Sequence, residues 1–309
     1  MHESALVAFT FFMGTATISL LPQMNFFPSD PVFQLFNQST LSAFFSLSFT
    51  LLSAMLLPLE IQRKFFRAVA LLNAAMIMAH FCAAPWLPKT WMYETPWGVL
   101  MNGSMSGCFA ACCVPLFKNT RRELALKILV ALSALLTMRS QPIALLGFVC
   151  MAEIFLTMRS SLRWWIVAAI APLTVIIGVS AKGFDFFHTS GRSYVWAQSW
   201  SYFKDFVEPI FGAGMGSFFL IGPTLTKGSF TWAHSEWFQI AFEFGLAGFL
   251  VTLYLFFDAL YRARDRAWLI ASVAGYGMFA IANMPLRYPL SGMLGAYLFR
   301  VALQKRRGA

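Results

Sequence analysis

Residues 231–250 read TWAHSEWFQIAFEFGLAGFL and gather the side chains best suited to chemistry: His234, Ser235, Glu236, Gln239 and Glu243. Histidine is the residue type that changes protonation near neutral pH, as a general base must. Glu236 is close enough in the chain to share that role or to orient the imidazole. Glu243 follows two helical turns later, so the two carboxylates share one face of a helix. Glu243 falls within an apolar run, where an ionisable group needs a partner or a function. A lone histidine here also suits an ordinary interfacial side chain; the cluster is what favours chemistry.

Three arginines stand at the ends of apolar runs: Arg139 in LLTMRSQPIALL, Arg192 in HTSGRSYVW and Arg287 in NMPLRYPL. Each suits a snorkelling anchor. Each also offers a planar fork of donors that fits phosphate oxygens. Gly212, Gly214 and Gly216 in FGAGMGSFF permit a tight turn or a close approach to a ligand. A dinucleotide loop is the weaker reading, because no βαβ pattern surrounds them. The sequence contains no HExxH, CxxC, serine elbow or Walker loop. Neither its carboxylates nor its histidines take metal-ligand spacing. The five cysteines lie in or near apolar runs and read as small apolar residues, with no disulfide framework.

The elements that carry these residues are membrane-like. Of 309 residues, 59% are hydrophobic and only 12% charged, with a mean hydropathy of +0.66. A soluble domain carries about a quarter charged residues. The spacing predicts ten helices, over about 4–22, 38–59, 65–85, 97–117, 122–138, 142–158, 162–181, 237–259, 266–283 and 286–303. The expected class is therefore all-α, a polytopic helical membrane protein with about ten transmembrane helices. The N-terminal run, without a basic start or a clear cleavage site, reads as a retained first span. Alternating the spans from a cytoplasmic N-terminus puts sixteen of the 23 Lys and Arg on the inner side. That bias places both termini in the cytoplasm. The net charge of +10 sits in short clusters between apolar runs, which points away from nucleic acid. One connection is long, the outer segment 182–236 between the seventh and eighth spans, and a long connection is uncommon unless functional. Its stretch RSYVWAQSWSYFKDFVEPI has a roughly helical pattern suited to lying at the outer interface. The expected organisation is a single integral membrane domain over 1–309, with a periplasmic loop over 182–236 that carries active-site residues.

Four segments, in order and spacing, resemble the O-antigen ligase and O-antigen polymerase superfamily of bacterial membrane glycosyltransferases. The AHSEWFQIAFEFGLAGFL segment is similar to a family stretch with a histidine–asparagine pair, an acidic residue and a glutamate–x–glycine ending. Here Ser235 stands in place of the asparagine. TSGRSYVWAQSW and EPIFGAGMGSFF resemble the family's glycine–arginine and glycine-repeat segments, LLTMRSQPIALL its arginine motif at a span end, and WGVLMNGSMSGCFAACCVPLF the preceding span with Asn102. The resemblance implies an undecaprenyl-diphosphate-linked glycan donor used at the outer face of the bacterial inner membrane, among membrane lipid. It implies transfer to lipid A–core, another glycan or a protein, without metal or other cofactor. In that frame His234 and Glu236 are the catalytic candidates, and Arg139, Arg192 and Arg287 bind the donor diphosphate. Gly212, Gly214 and Gly216 shape the loop, and Asn102, Ser235, Gln239 and Glu243 support the site.

Two other classes stay open. Ten spans and outward arginines also suit a transporter or flippase of a lipid-linked or anionic solute, although no paired half-repeats are visible. Ser235 leaves room for an inactive assembly protein.

Overall fold

The computed structural model describes residues 57–83, 96, 98–100, 102–158, 174, 192–203, 208–214, 216–218, 222, 224 and 233–304. Among them the regular elements are helices. These are α1 (Leu59–Ala83), α2 (Gly103–Cys113) running into a 3-10 turn (Val114–Leu116), α3 (Arg121–Leu136) and α4 (Ser140–Thr157). Then come α5 (Arg192–Trp200), the single turn α6 (Glu208–Phe211) and α7 (Glu236–Ala263). A final group holds α8 (Ala267–Ala282), a 3-10 turn (Pro285–Arg287) and α9 (Pro289–Leu303).

The starts follow ordinary capping chemistry. Asn102, Thr120 and Ser235 each precede a helix, with extended backbone and a side-chain oxygen that accepts an N–H of the first turn. Pro115 cannot continue the hydrogen-bond ladder of α2, and the chain tightens there into the 3-10 turn.

Helix α2 is the centre of the bundle. Apart from Ser104, every residue from Gly103 to Cys113 is buried, and small side chains let α1, α3, α4 and α8 approach it closely. Phe66, Leu116, Phe117, Val149, Phe279 and Tyr297 complete the core around it. The outside is apolar as well. Leu246, Leu250, Tyr254, Phe257 and Tyr261 are exposed along one face of α7, at three- and four-residue spacing. Such a stripe suits lipid, and the protein is membrane-embedded.

The expectation of about ten transmembrane helices is corrected. Among the described residues, three helices have the length and composition to cross a membrane: Leu59–Ala83, Ser140–Thr157 and Glu236–Ala263. The expected spans 4–22, nearly all of 38–59 and nearly all of 162–181 lie outside the described residues. Of the remaining seven, 65–85, 142–158 and 237–259 correspond to those three helices, and the other four fall short because an apolar run is not a helix. The run 97–117 contains a turn before Asn102 and a proline at 115, which leaves α2 with 11 residues, or roughly 16 Å against a ~30 Å hydrocarbon core. The run 122–138 becomes a 16-residue helix that opens with Arg121, Arg122 and Glu123. The last two runs stop at Asn283 and restart at Pro289, giving helices of 16 and 15 residues.

Candidate functional site

The sharpest local feature is a break in α7. Gly245 has φ 67° and ψ −171°, a conformation essentially restricted to glycine. A break leaves the carbonyls of the preceding turn without helical partners. The glycine-repeat segment supplies them: Ala213 N–H donates to Phe242 O at 2.9 Å and Gly214 N–H to Glu243 O at 2.9 Å. Gly212, Gly214 and Gly216 all have positive φ, at 79°, 95° and 78°. Contact between the segments is backbone on backbone. A Cβ on Gly212 would lie 2.3 Å from Gly245 N, and one on Gly245 would lie 2.3 Å from Ile210 O. The close approach the glycines permit here is thus to the chain's own broken helix.

That docking surrounds a buried polar pair. Gln239 Nε2 donates to Glu243 Oε1 at 2.7 Å, and neither residue is accessible to solvent. Gln239 Oε1 and Ser217 Oγ are buried without a hydrogen-bond partner among the described residues. Phe242 sits against Phe203 and Phe218 under the loop, and Trp196 stacks on Phe238 with ring centroids 5.7 Å apart. The Trp196 indole N–H donates to Ala233 O at 2.8 Å, which ties α5 to the residue before His234. Helix α5 is shorter than the helical stretch expected from the sequence, ending at Trp200.

His234 is half-buried and takes a left-handed backbone, φ 54°, immediately before the cap of α7. Ser235 performs the capping: its hydroxyl accepts Phe238 N–H at 3.3 Å and donates to Ala280 O at 3.4 Å. Glu236 is buried. Its N–H donates to Asn283 O at 2.9 Å, and its Oε2 accepts Leu286 N–H at 3.0 Å. The His234–Glu236 turn is therefore pinned to the end of α8 and to the 3-10 turn that carries Arg287.

From Asn283 the polar contacts continue to α2 and α4. Asn283 Nδ2 donates to Gln141 Oε1 at 3.1 Å, and the Ser104 hydroxyl donates to the same oxygen. Gln141 lies two residues after Arg139, which is half-buried and holds the N-cap position of α4 with extended backbone. Asn102 is exposed at the start of α2, two residues before Ser104, and its Oδ1 accepts Met105 N–H at 3.0 Å. The starts of α2, α4 and α7 and the end of α8 thus meet in one polar layer. Arg192 opens α5 and Arg287 closes its 3-10 turn.

Sequence reasoning missed Asn283, Gln141 and Ser104. The signals were present: Asn283 is an amide at the end of an apolar run before a proline, and Gln141 directly follows the Arg139-Ser140 pair. Among the described residues no group of three or more His, Cys, Asp or Glu is placed to hold a metal ion.

These features define an α-helical membrane protein whose polar groups gather where helices end. A family model described as O-antigen ligase matches residues 124–253, the stretch that carries most of the motifs resembling that superfamily. The match spans Arg139, Arg192, the glycine repeat, the His234–Glu236 turn and Glu243, and leaves out Asn102 and Arg287. No curated protein matches the chain. The match and the apolar helices together support a glycan-handling role in the membrane, of ligase or polymerase type.

Proposed function

We propose that the protein transfers a glycan from an undecaprenyl-diphosphate-linked donor to an acceptor at the periplasmic face of the inner membrane, in the manner of an O-antigen ligase. A polymerase or protein-glycan transferase would run the same reaction on another acceptor. The observation that carries this reading is the hydrogen-bonded meeting of the His234–Glu236 turn with the start of the helix behind Arg139, some hundred residues away in the chain.

The lipid tail of such a donor stays in the bilayer and its diphosphate stays at the interface. His234 accepts the proton of the acceptor hydroxyl as that oxygen attacks the anomeric carbon. A new carbon–oxygen bond forms, the bond to the diphosphate breaks, and the electron pair leaves with the phosphate oxygen. Arg139 and Arg192 stabilise the charge that develops there, with Arg287 as a third donor on a turn pinned by Glu236. A single displacement inverts the anomeric centre. The buried Glu236 carboxylate already receives Leu286 N–H, so its part is to hold the turn, and the half-buried His234 is the base. Ser235 leaves the start of α7 intact, because serine and asparagine are equally good helix N-caps and serine performs that task here.

The test is transfer rate and donor affinity for purified single variants in nanodiscs. His234→Ala is expected to lower turnover by about 10²–10⁴-fold, the usual worth of a positioned base, with donor affinity nearly unchanged. Arg139→Lys is expected to weaken both, because lysine keeps the charge and loses the fork. A His234→Ala protein of normal abundance and full turnover removes histidine from the mechanism.

A further inference from the structure

Asn283 closes α8 and lies outside the residues that match the family. It is nearly buried, at 7% exposure, and it joins three other helices. Its carbonyl accepts Glu236 N–H at 2.9 Å, one residue from Ser235 and two from His234. Its side-chain amide donates to Gln141 Oε1 at 3.1 Å and approaches Ser104 Oγ at 3.5 Å and Cys108 Sγ at 3.8 Å. Gln141 Oε1 also takes the Ser104 hydroxyl, so one amide oxygen gathers donors from α2 and α8. The last turn of α8 is held to α7 a second time, through Ser235 Oγ and Ala280 O.

This arrangement is more than a helix contact. Asn283 uses its backbone toward the histidine turn and its side chain toward the segment that begins with Arg139. Asn283 is buried and Gln141 half-buried, and amides linked in this way have few alternative arrangements, because a broken bond leaves a group largely shielded from water without a partner. The linkage therefore fixes one geometry between two segments that are far apart in sequence.

We propose that Asn283, acting through Gln141 and Ser104, is a positioning residue for the transfer reaction: it sets the His234 turn in register with the start of α4 that carries Arg139. The proposal rests on the transferase reading above. In that reading the base works on the acceptor and the arginine on the departing diphosphate, and both must be correctly placed at once. A register error leaves the donor site able to bind and spoils the attack, where a misplacement of about 1 Å costs on the order of 10²-fold in rate.

The experiment compares Asn283→Ala, Gln141→Ala and the double variant in nanodiscs, reading kcat, donor affinity from titration of the lipid-linked donor, and thermal unfolding. Asn283→Ala keeps the backbone bond to Glu236 and removes only the side-chain arm. Each single variant is expected to lose about tenfold to a hundredfold in kcat with donor affinity changed by less than about threefold. The double variant is expected to be no slower than the slower single, because both remove one linkage. Unchanged kcat in both singles overturns the proposal. So do single losses that multiply in the double variant, a fall in donor affinity that matches the fall in kcat, or a rate loss accounted for by unfolded protein. His234→Ala separates the two claims. If it is impaired while Asn283→Ala is not, the positioning role fails alone; if it retains full turnover, the mechanistic reading and the proposal fail together.

Discussion

Replacing Gly245 by alanine attacks the point where α7 breaks and the glycine loop docks. The conformation, φ 67° and ψ −171°, is open to glycine and strained for any other residue, at a cost of about 1–3 kcal/mol. The new Cβ would also lie 2.3 Å from Ile210 O and 2.5 Å from Gly212 N. Both are backbone atoms, so no side-chain tip can swing aside. The chain can relieve the overlap only by lifting the loop, which gives up the bonds from Ala213 and Gly214 to the Phe242 and Glu243 carbonyls, at roughly 1 kcal/mol each. The combined loss is about 3–5 kcal/mol, more than a hundredfold in the ratio of docked to undocked loop. Limited proteolysis in detergent reads that ratio when opening and closing are fast relative to cleavage. Gly245→Ala is expected to be cut within 201–233 more than a hundred times faster, at ~1.4 kcal/mol per factor of ten, and to lose turnover. Gly212→Ala is expected to act in the same direction, since its Cβ would lie 2.3 Å from Gly245 N. The double variant should fall short of the sum, because both substitutions attack one contact. Wild-type protease resistance and thermal stability in Gly245→Ala would refute the account of the break as held by the loop.

Ser235→Ala is expected to destabilise by about 1 kcal/mol through loss of the N-cap, while Ser235→Asn stays near wild type in unfolding and turnover; an asparagine variant as impaired as the alanine one contradicts the capping role. Fusions of a periplasm-active reporter after Lys182 and Lys227 are expected to be active, and fusions near Lys118 and Arg264 inactive, given the bias of basic residues. A cytoplasmic signal from the segment preceding His234 contradicts the orientation. Turnover by purified protein is expected to persist in a strong chelator; loss restored by a divalent cation contradicts an arginine-based mechanism.

The sequence was most informative where a residue type carries its own constraint. Ser235 and Asn102 were singled out through the family resemblance, and in the structure both cap helices. The positive φ at Gly212, Gly214 and Gly216 is what a glycine repeat permits. Helix length was less legible. Hydropathy averages across Pro115, which ends a helix because proline lacks an N–H, whereas the break after Asn283, whose carbonyl accepts Glu236 N–H of another helix, was placed from the sequence. Ser104 was invisible, and Gln141 marked only by its place after Arg139-Ser140, for a related reason. A single neutral amide or hydroxyl in an apolar run has no pattern of its own, and its importance depends on partners at a distance of tens to hundreds of residues. His234 was singled out for its imidazole, but nothing in the sequence pointed to its left-handed backbone.

The ends of short and long helices together build the polar layer, at the starts of α2, α4 and α7 and the end of α8. A helix crossing the full hydrocarbon keeps its backbone groups satisfied internally and presents apolar side chains. At its ends, however, every helix leaves unpaired N–H and C=O groups, and these must find partners. In this chain they do so together. Ser235 caps α7, Glu236 N–H meets the carbonyl that follows α8, and Leu286 N–H meets the Glu236 carboxylate. The requirement to satisfy backbone polarity thus collects neutral and acidic side chains into one layer, beside the half-buried His234 and Arg139. Conversely, the long faces of α1 and α7 carry exposed aliphatic and aromatic side chains suited to lipid. The donor proposed above, with an apolar tail and a charged head, needs both kinds of surface close together, and short helices packed among long ones provide them.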